Sequence, residues 1–197
     1  MADLDRFPHD HLTLEELGSI RLPEGQRYTE ALEMLFYIAK VHSDEVSISL
    51  NDPATADQIN GFMERTGIRL TEELKSLYAF ANGIYIHRAV DLYIYPLEQA
   101  EKLYCEGSYD WWIFDEFAEL GTEGGCGDQV LMERSTGRLF IHDHEDPEMY
   151  IGTEDLKDIF ENSIDMASDM LFIEDQRIKD YIKKMYDEWK AQLSPES

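Results

Sequence analysis

The sequence predicts an α+β fold in which an antiparallel sheet is packed with helices. Predicted helices precede and follow a run of strands, and this segregated order disfavours the alternating strand–helix units of a parallel sheet. At 197 residues the chain has the size of one domain with appendages. A hydrophobic content of 43% indicates a packed core rather than disorder.

The N-terminal part of the chain combines an irregular arm, one helix and one strand. Residues 1–28 show no sustained apolar period, so we interpret them as an arm with one short helical turn over 14–17. An apolar stripe over 29–43 predicts a helix. Alternation of apolar and polar residues over 45–50 then predicts a half-buried strand.

Two capped helices are predicted after this strand. Thr55 and Gln58 have the spacing of a capping box, and this helix is expected to stop near Gly67. The second helix is predicted to start at Thr71. Its end is assigned to Asn82-Gly83, since asparagine and glycine adopt left-handed backbone at low cost.

Beyond these helices the apolar period changes to two, which predicts strands. The predicted strands are residues 84–86, 90–95, 128–133, 138–142 and a shorter one at 149–151. Pro96 suits the first turn of a short helix that reaches about residue 104. A turn at residues 135–137 joins two of the strands into a hairpin, whereas residues 111–117 give no clear prediction.

Two amphipathic helices are predicted to end the chain. Thr153 is expected to cap the first, and Ile178, Ile182 and Trp189 share the apolar face of the second, over about 175–193. The predicted organisation is an arm over 1–28, an α+β domain over 29–173 and an extra C-terminal helix over 174–197.

The charge of the chain is strongly negative and unevenly distributed. The sequence holds 17 lysine and arginine residues against 42 aspartate and glutamate residues, a net charge of −25. Residues 98–175 contain 22 acids and 4 bases, net −18, whereas residues 176–197 contain 4 acids and 5 bases. Such a field disfavours direct binding to nucleic acid or to an anionic membrane, and it favours a basic protein partner.

Cysteine usage and the terminal pattern predict a cytoplasmic protein. Cys105 and Cys126 cannot form a disulfide scaffold, and they lack the CxxC spacing of a zinc site. The first nine residues do not have the order of a signal peptide, and no stretch approaches about 18 consecutive apolar residues. We therefore expect free thiols, no cofactor and no membrane contact.

Three ordered stretches of the sequence carry a resemblance to a known family. They are Gly67-Ile-Arg-Leu70 with a helix and Asn82-Gly83, then Gly121 to Gly124-Gly-Cys-Gly127-Asp128, then Thr136-Gly-Arg-Leu-Phe-Ile-His142-Asp-His-Glu145 before a long helix. Together they cover about residues 55–172 and resemble the SMI1/KNR4 family, or SUKH superfamily. Thr71 stands where the family usually has proline, and the arm and last helix lie outside the shared core.

The resemblance implies a SUKH-like antiparallel sheet packed with helices and a role in protein binding. Many family members are bacterial immunity proteins that neutralise secreted polymorphic toxins, often nucleases, and some eukaryotic members are regulators or scaffolds. Nuclease toxin domains present a basic surface to nucleic acid, so the charge of −25 is compatible with an acidic inhibitor that occupies that surface.

Acids and aromatics alternate over residues 109–117, a composition found at hot spots of protein interfaces. Burial of most of these aromatics in the core is the alternative interpretation. Further acids follow the strand predicted over 138–142. The candidate toxin-binding or partner-binding residues are Asp110, Trp112, Asp115, Glu116, Asp143, Glu145 and Asp146.

His142 and His144 are the candidates for a metal site, because residues two apart on a strand share a face. A catalytic metal would want a third protein ligand, which no HExxH motif supplies. The favoured interpretation is a polar loop, with no metal ligand and no catalytic residue.

Three hypotheses follow for the function. The first is a non-catalytic immunity protein whose acidic surface binds a basic toxin domain. The second is a regulatory or scaffold module that binds an endogenous protein or a second copy of itself through the last helix. The third is a metal-dependent hydrolase centred on His142 and His144.

Overall fold

The computed structural model describes residues 11–106, 116–124, 127–143, 150–153 and 155–193. In these ranges the helices are α1 (Leu14–Ser19), α2 (Thr29–Val41), α3 (Ala56–Thr66), α4 (Glu72–Phe80), α5 (Leu97–Glu106), α6 (Leu156–Leu171) and α7 (Gln176–Leu193). The strands are β1 (Val46–Leu50), β2 (Ile84–Arg88), β3 (Leu92–Ile94), β4 (Phe117–Glu123), β5 (Asp128–Glu133), β6 (Leu139–His142) and β7 (Tyr150–Thr153).

The seven strands of the described ranges form one sheet in which spatial order equals chain order. Each strand pairs antiparallel with its sequence neighbour, from β1 at one edge to β7 at the other. The predicted α+β class is confirmed. Buried and less buried residues alternate in β2, whereas consecutive residues of β3 and β5 are buried, so both faces of the sheet are covered at its centre.

The strand register defines two ends of the sheet. Val46 of β1 lies opposite Arg88, and His142 of β6 lies opposite both Gln129 and Tyr150. The connections β2–β3, β4–β5 and β6–β7 therefore start and finish at the same end, which we call the loop end. The turn between β5 and β6 and the starts of α2 and α6 lie at the opposite end.

One part of the core lies between the sheet and the two helices α2 and α6, and another includes buried residues of α3, α4 and α5 such as Phe62, Leu77 and Ala100. α2 contacts α6 and β1, and α6 contacts β7. Tyr28, directly before α2, meets Phe160 of α6 with ring centroids 5.9 Å apart, and both side chains are fully buried. The two helices run in the same direction, so both end at the loop end.

The capping prediction for α3 is confirmed. The Thr55 hydroxyl accepts from the Gln58 N–H while the Gln58 side chain accepts from the Thr55 N–H, and Gly67 ends the helix with φ 71°. Thr71 caps α4 as predicted.

Two predicted helix boundaries are wrong. α4 ends at Phe80 with Ala81 extended, because Asn82 turns its side chain to the backbone N–H of Leu97 instead of closing the helix. Thr153 is the last residue of β7, and Asp155 caps α6 by accepting from the N–H groups of Lys157 and Asp158.

Strand β4 was not predicted, and its irregularity explains why. A bulge lies between Glu119 and Gly121, so the apolar alternation is broken in mid-strand. A Cβ on Gly121 would lie 2.1 Å from the carbonyl oxygen of Tyr93 on the neighbouring strand. Glycine is therefore needed here for close backbone approach, not for a turn.

Helix α7 packs along α2 and α6, and its first half is part of the core. Ile178 and Tyr181 are buried, and Arg177 stacks over the Tyr37 ring at 4.2 Å. Trp189, predicted on the same apolar face, is 57% exposed. Lys157, in the first turn of α6, contacts Glu188, so Trp189 lies where α6 begins and little of α6 remains to cover it.

Candidate partner-binding surface

Three acidic residues on or directly after neighbouring strands lie at the loop end. Glu123 ends β4 and lies opposite Asp128, the first residue of β5. Asp143 follows His142, whose partner on β5 is Gln129, so Asp143 is placed beside Asp128. Residues that are far apart in sequence thus form a continuous acidic edge of Glu123, Asp128 and Asp143. Adjacent strands lie about 4.8 Å apart, and Asp128 is close enough to Glu123 to affect its titration electrostatically.

Glu123 is the buried member of this edge. Its side chain points towards α6, where it accepts hydrogen bonds from Asn162 Nδ2 and Ser163 Oγ, each at 3.1 Å. Burial raises its pKa to about 7; Asp128 adds to the rise, and the two hydrogen bonds oppose it. The carboxyl group therefore changes charge close to neutral pH.

A chain of hydrogen bonds crosses the opposite face of the sheet and ends at His142. Glu119 accepts from the Tyr95 hydroxyl at 3.0 Å and from Gln129 Nε2 at 3.1 Å. Because Gln129 donates through its nitrogen, its Oε1 is the acceptor for His142 Nδ1 at 3.0 Å. This network assigns the proton to Nδ1 and orients the imidazole.

That environment does not favour hydrolase chemistry at His142. The side chain is 1% exposed and Nδ1 donates to Gln129, so the ring is closed off from solvent and substrate. His144 lies outside the described residues. Over the part of the chain that the structure describes, no group of three or more metal-binding side chains occurs.

A histidine–serine cluster fastens the arm to β1 and β2. His11 Nδ1 and His87 Nε2 both lie 3.1 Å from the buried Ser49 hydroxyl, and the two rings meet at 4.4 Å. Burial, reinforced by His11, lowers the pKa of His87 to about 4. The Leu12 N–H also donates to Ile48, so the arm extends the β1 edge.

Exposed apolar side chains accompany the acids at the loop end. Val41 ends α2 and is 43% exposed, while Met170 and Phe172, at the end of α6, are 60% and 85% exposed. Phe172 has left-handed backbone, φ 49° and ψ 48°, at a helix terminus where glycine is usual. Such a conformation costs a non-glycine residue about 1 kcal/mol.

The structure places two of the seven predicted binding residues. Glu116 is exposed, and its carbonyl accepts from the Arg134 N–H at the end of the sheet opposite the loop end. Asp143 is half-buried at the loop end. Glu116 is level with Arg134 and Asp143 with Asp128, six residues apart along β5 and its continuation, so Glu116 and Asp143 are about 20 Å apart along the strands. Asp110, Trp112, Asp115, Glu145 and Asp146 lie outside the described residues.

Sequence reasoning did not single out Glu123, Asp128 or Phe172. The two acids become neighbours only through the β4–β5 register, which a missed strand could not supply. One feature of the sequence could have indicated Phe172. The apolar run Met170-Leu-Phe-Ile173 ends a predicted helix and contains no glycine or asparagine to adopt the left-handed position.

None of the helices in the described ranges combines the length and apolar character needed to cross a lipid bilayer.

Comparison with known proteins agrees with the topology. The SMI1 / KNR4 family (SUKH-1) matches residues 53–182, about two thirds of the 197-residue chain. The match begins just before α3, includes β2 to β7 and α6, and ends within α7. No curated protein shows a significant match. The glycine-marked turns, the antiparallel sheet and the long closing helix are thus those of a SUKH domain, and the chain belongs to the SMI1/KNR4 (SUKH-1) family.

Proposed function

We propose that this protein is a cytoplasmic, non-catalytic immunity-type protein that neutralises a basic toxin domain by binding it at the loop end. The SMI1/KNR4 family match supports a protein-binding role. The observation that carries the proposal is the pair of partly exposed acids Asp128 and Asp143 on neighbouring strands at the loop end, within the block of net charge −18.

The acidic edge suits a toxin that acts on nucleic acid. A nuclease must present cationic side chains to phosphates, and an acidic surface competes for the same side chains. The negative field also raises the association rate of a cationic partner, which matters for an inhibitor that must act before damage occurs. Inhibition then needs only occupation of the basic surface and no chemical step.

The predicted residues outside the described ranges extend the proposed contact region. Glu145 and Asp146 belong to the β6–β7 connection, which starts and finishes at the loop end, so we assign them to the same binding surface. Asp110, Trp112 and Asp115 precede Glu116 in sequence, and we assign these four residues to a second contact region.

The test takes its candidate partners from the basic C-terminal domains of large secreted proteins encoded next to this chain. We expect tight binding, with an association rate that falls at least about tenfold between 0.05 and 0.5 M NaCl. The double variant Asp128→Asn/Asp143→Asn should slow association and weaken this salt dependence. Glu24→Gln/Glu64→Gln removes the same charge from exposed sites away from the loop end. Salt-independent association, or equal effects of the two double variants, would count against the proposal.

A regulatory or scaffold role is the second candidate, and one observation favours it. Tyr186 and Trp189 are 36% and 57% exposed on the part of α7 that lies beyond the family match. Aromatic side chains on a helix face are typical anchors for a partner. If this role applies, Trp189→Ala will abolish binding of an endogenous partner and leave toxin neutralisation intact.

A further inference from the structure

We propose that Phe172 is an aromatic anchor, the side chain at the loop end that inserts into an apolar pocket on a basic partner protein. The inference rests on the proposed function for the basic character of the partner. It adds the chemistry of the partner's contact site, which is an apolar pocket with a cationic rim.

The first argument is that Phe172 has a strained backbone conformation that no burial of its side chain within the chain offsets. Phe172 occupies the left-handed position of a helix-ending motif in which the Ile173 N–H returns to the Ser168 carbonyl at 3.3 Å. Glycine fits this position without strain, whereas phenylalanine does not. Because Phe172 is 85% exposed, its ring gains almost no burial in return. A strained, exposed aromatic side chain is explained if its burial occurs on binding.

The second argument is that the turn holding Phe172 is firmly positioned. Ile173, the next residue, is 4% exposed and packs into the core. The Tyr37 hydroxyl donates to Asp175 at 3.1 Å, which ties the turn to α2. The ring is therefore presented by a fixed backbone, and binding does not require ordering of a loop.

The third argument is the charge around the ring. Asp169 is exposed on α6, and the Glu174 side chain is 89% exposed, with Lys179 as its ion-pair partner. The acidic edge of Glu123, Asp128 and Asp143 lies at the same end of the sheet. Lys179 offsets the charge of Glu174, so the acids that favour a cationic partner here are Asp169, Asp128 and Asp143. An exposed apolar side chain beside these acids is complementary to an apolar pocket with a basic rim. A second copy of this chain would instead bring its own acids against the rim.

The experiment compares Phe172→Gly with wild type and with the control Leu14→Ala, which shortens an apolar side chain that is 51% exposed on α1. Binding to the basic toxin domain selected in the test of the proposed function is measured by stopped flow at 0.05 and 0.5 M NaCl, with melting temperature measured in parallel. We expect Phe172→Gly to bind at least about tenfold more weakly at both salt concentrations, through faster dissociation. Its melting temperature should equal or exceed that of wild type, since glycine relieves the left-handed strain.

Each outcome has a distinct meaning. If wild type does not bind the toxin domain, both the proposed function and the anchor are contradicted. If wild type binds and Phe172→Gly binds equally well, the anchor alone is contradicted. A Phe172→Gly variant that melts lower and binds more weakly indicates a structural role and also overturns the anchor. Sedimentation that shows a wild-type dimer lost in Phe172→Gly would identify a second copy as the occupant and overturn the basic partner.

Discussion

Single residues of this protein are constrained by different neighbours, and the consequences of substitution differ accordingly. Gly121 faces backbone, since a Cβ there would lie 2.1 Å from the Tyr93 carbonyl oxygen. Gly61 faces the flexible end of Arg65, whose guanidinium would lie 2.7 Å from an added Cβ. The first obstacle cannot move without distorting the sheet, whereas the second can.

Gly121→Ala is therefore expected to lower the free energy of unfolding by more than about 3 kcal/mol. Gly61→Ala lies within α3 and is expected to change it by less than about 1 kcal/mol, with a gain from helix propensity. Urea denaturation monitored by circular dichroism measures both. Similar losses in the two variants would show that close strand approach at Gly121 is not the constraint.

Glu123 makes stability depend on pH near neutrality. Its pKa is about 7 in the folded protein and about 4.5 in the unfolded chain. The folded state thus binds the proton more tightly, so this stabilisation is fully present below about pH 4.5 and is lost as pH rises through about 7. The loss amounts to about 3 kcal/mol.

Glu123→Gln removes this titration and keeps a side chain able to bond Asn162 and Ser163. The variant should be more stable than wild type at pH 8, and the advantage should disappear at pH 4.5. Chemical denaturation at both pH values measures the difference, and the exposed Glu64→Gln controls for the loss of one charge. An advantage of equal size at both pH values would contradict the assignment.

The roles of single residues were predicted correctly from sequence where interactions within one helix determine them. The Thr55–Gln58 capping box and Gly67 depend only on their own helix, and both were predicted. Asn82 was misassigned because its side chain bonds Leu97, a tertiary contact that no local pattern reveals.

At the scale of elements, α7 shows which contacts hold a terminal helix. Ile178 is fully buried, whereas the ion pairs Arg177–Glu33 and Lys184–Glu30 join half-exposed side chains. Burial of an isoleucine contributes more than an exposed ion pair, because water already solvates the charges. The helix is thus attached mainly through its apolar face.

We expect Ile178→Ala to lower the free energy of unfolding by about 3 kcal/mol and Lys184→Ala by less than about 0.5 kcal/mol. A single cooperative urea transition in Ile178→Ala would show that α7 unfolds with the rest of the domain. A separate early transition would instead support the predicted division of the chain near residue 174. Equal losses in the two variants would contradict the dominance of apolar packing.

The order of helices and strands was largely predictable from sequence. The one strand that was missed, β4, was missed for a physical reason. Strands β5 and β6 are short apolar runs on either side of a glycine turn, so their hairpin was evident from sequence. In β4 the bulge displaces the alternation and Gly121 lowers strand propensity. Glu123 of the acidic edge lies on β4, so the residues that form this edge could not be derived from sequence.

At the scale of the molecule, the net charge of −25 opposes compaction. The ion pairs of the described ranges, such as Arg65–Glu101, use few of the 42 acids because the chain has only 17 lysine and arginine residues. Repulsion among the remaining carboxylates is screened by salt.

The melting temperature should therefore rise between 0.01 M and 1 M NaCl, as the screening length falls from about 30 Å to about 3 Å. Calorimetry in NaCl and in tetramethylammonium chloride at equal ionic strength separates screening from binding of a particular cation. A melting temperature that falls with salt would show that ion pairs outweigh repulsion.

Strand order along the sheet also has a consequence for synthesis on the ribosome. Every strand from β2 to β7 pairs with the strand made just before it, so the sheet can lengthen one strand at a time as the polypeptide emerges. α2 is made early but must wait for Phe160 of α6 to cover Tyr28. Until α6 has been synthesised, one apolar face of the nascent sheet stays exposed to solvent. A translational pause before α6 would therefore be the stage at which chaperone binding matters most.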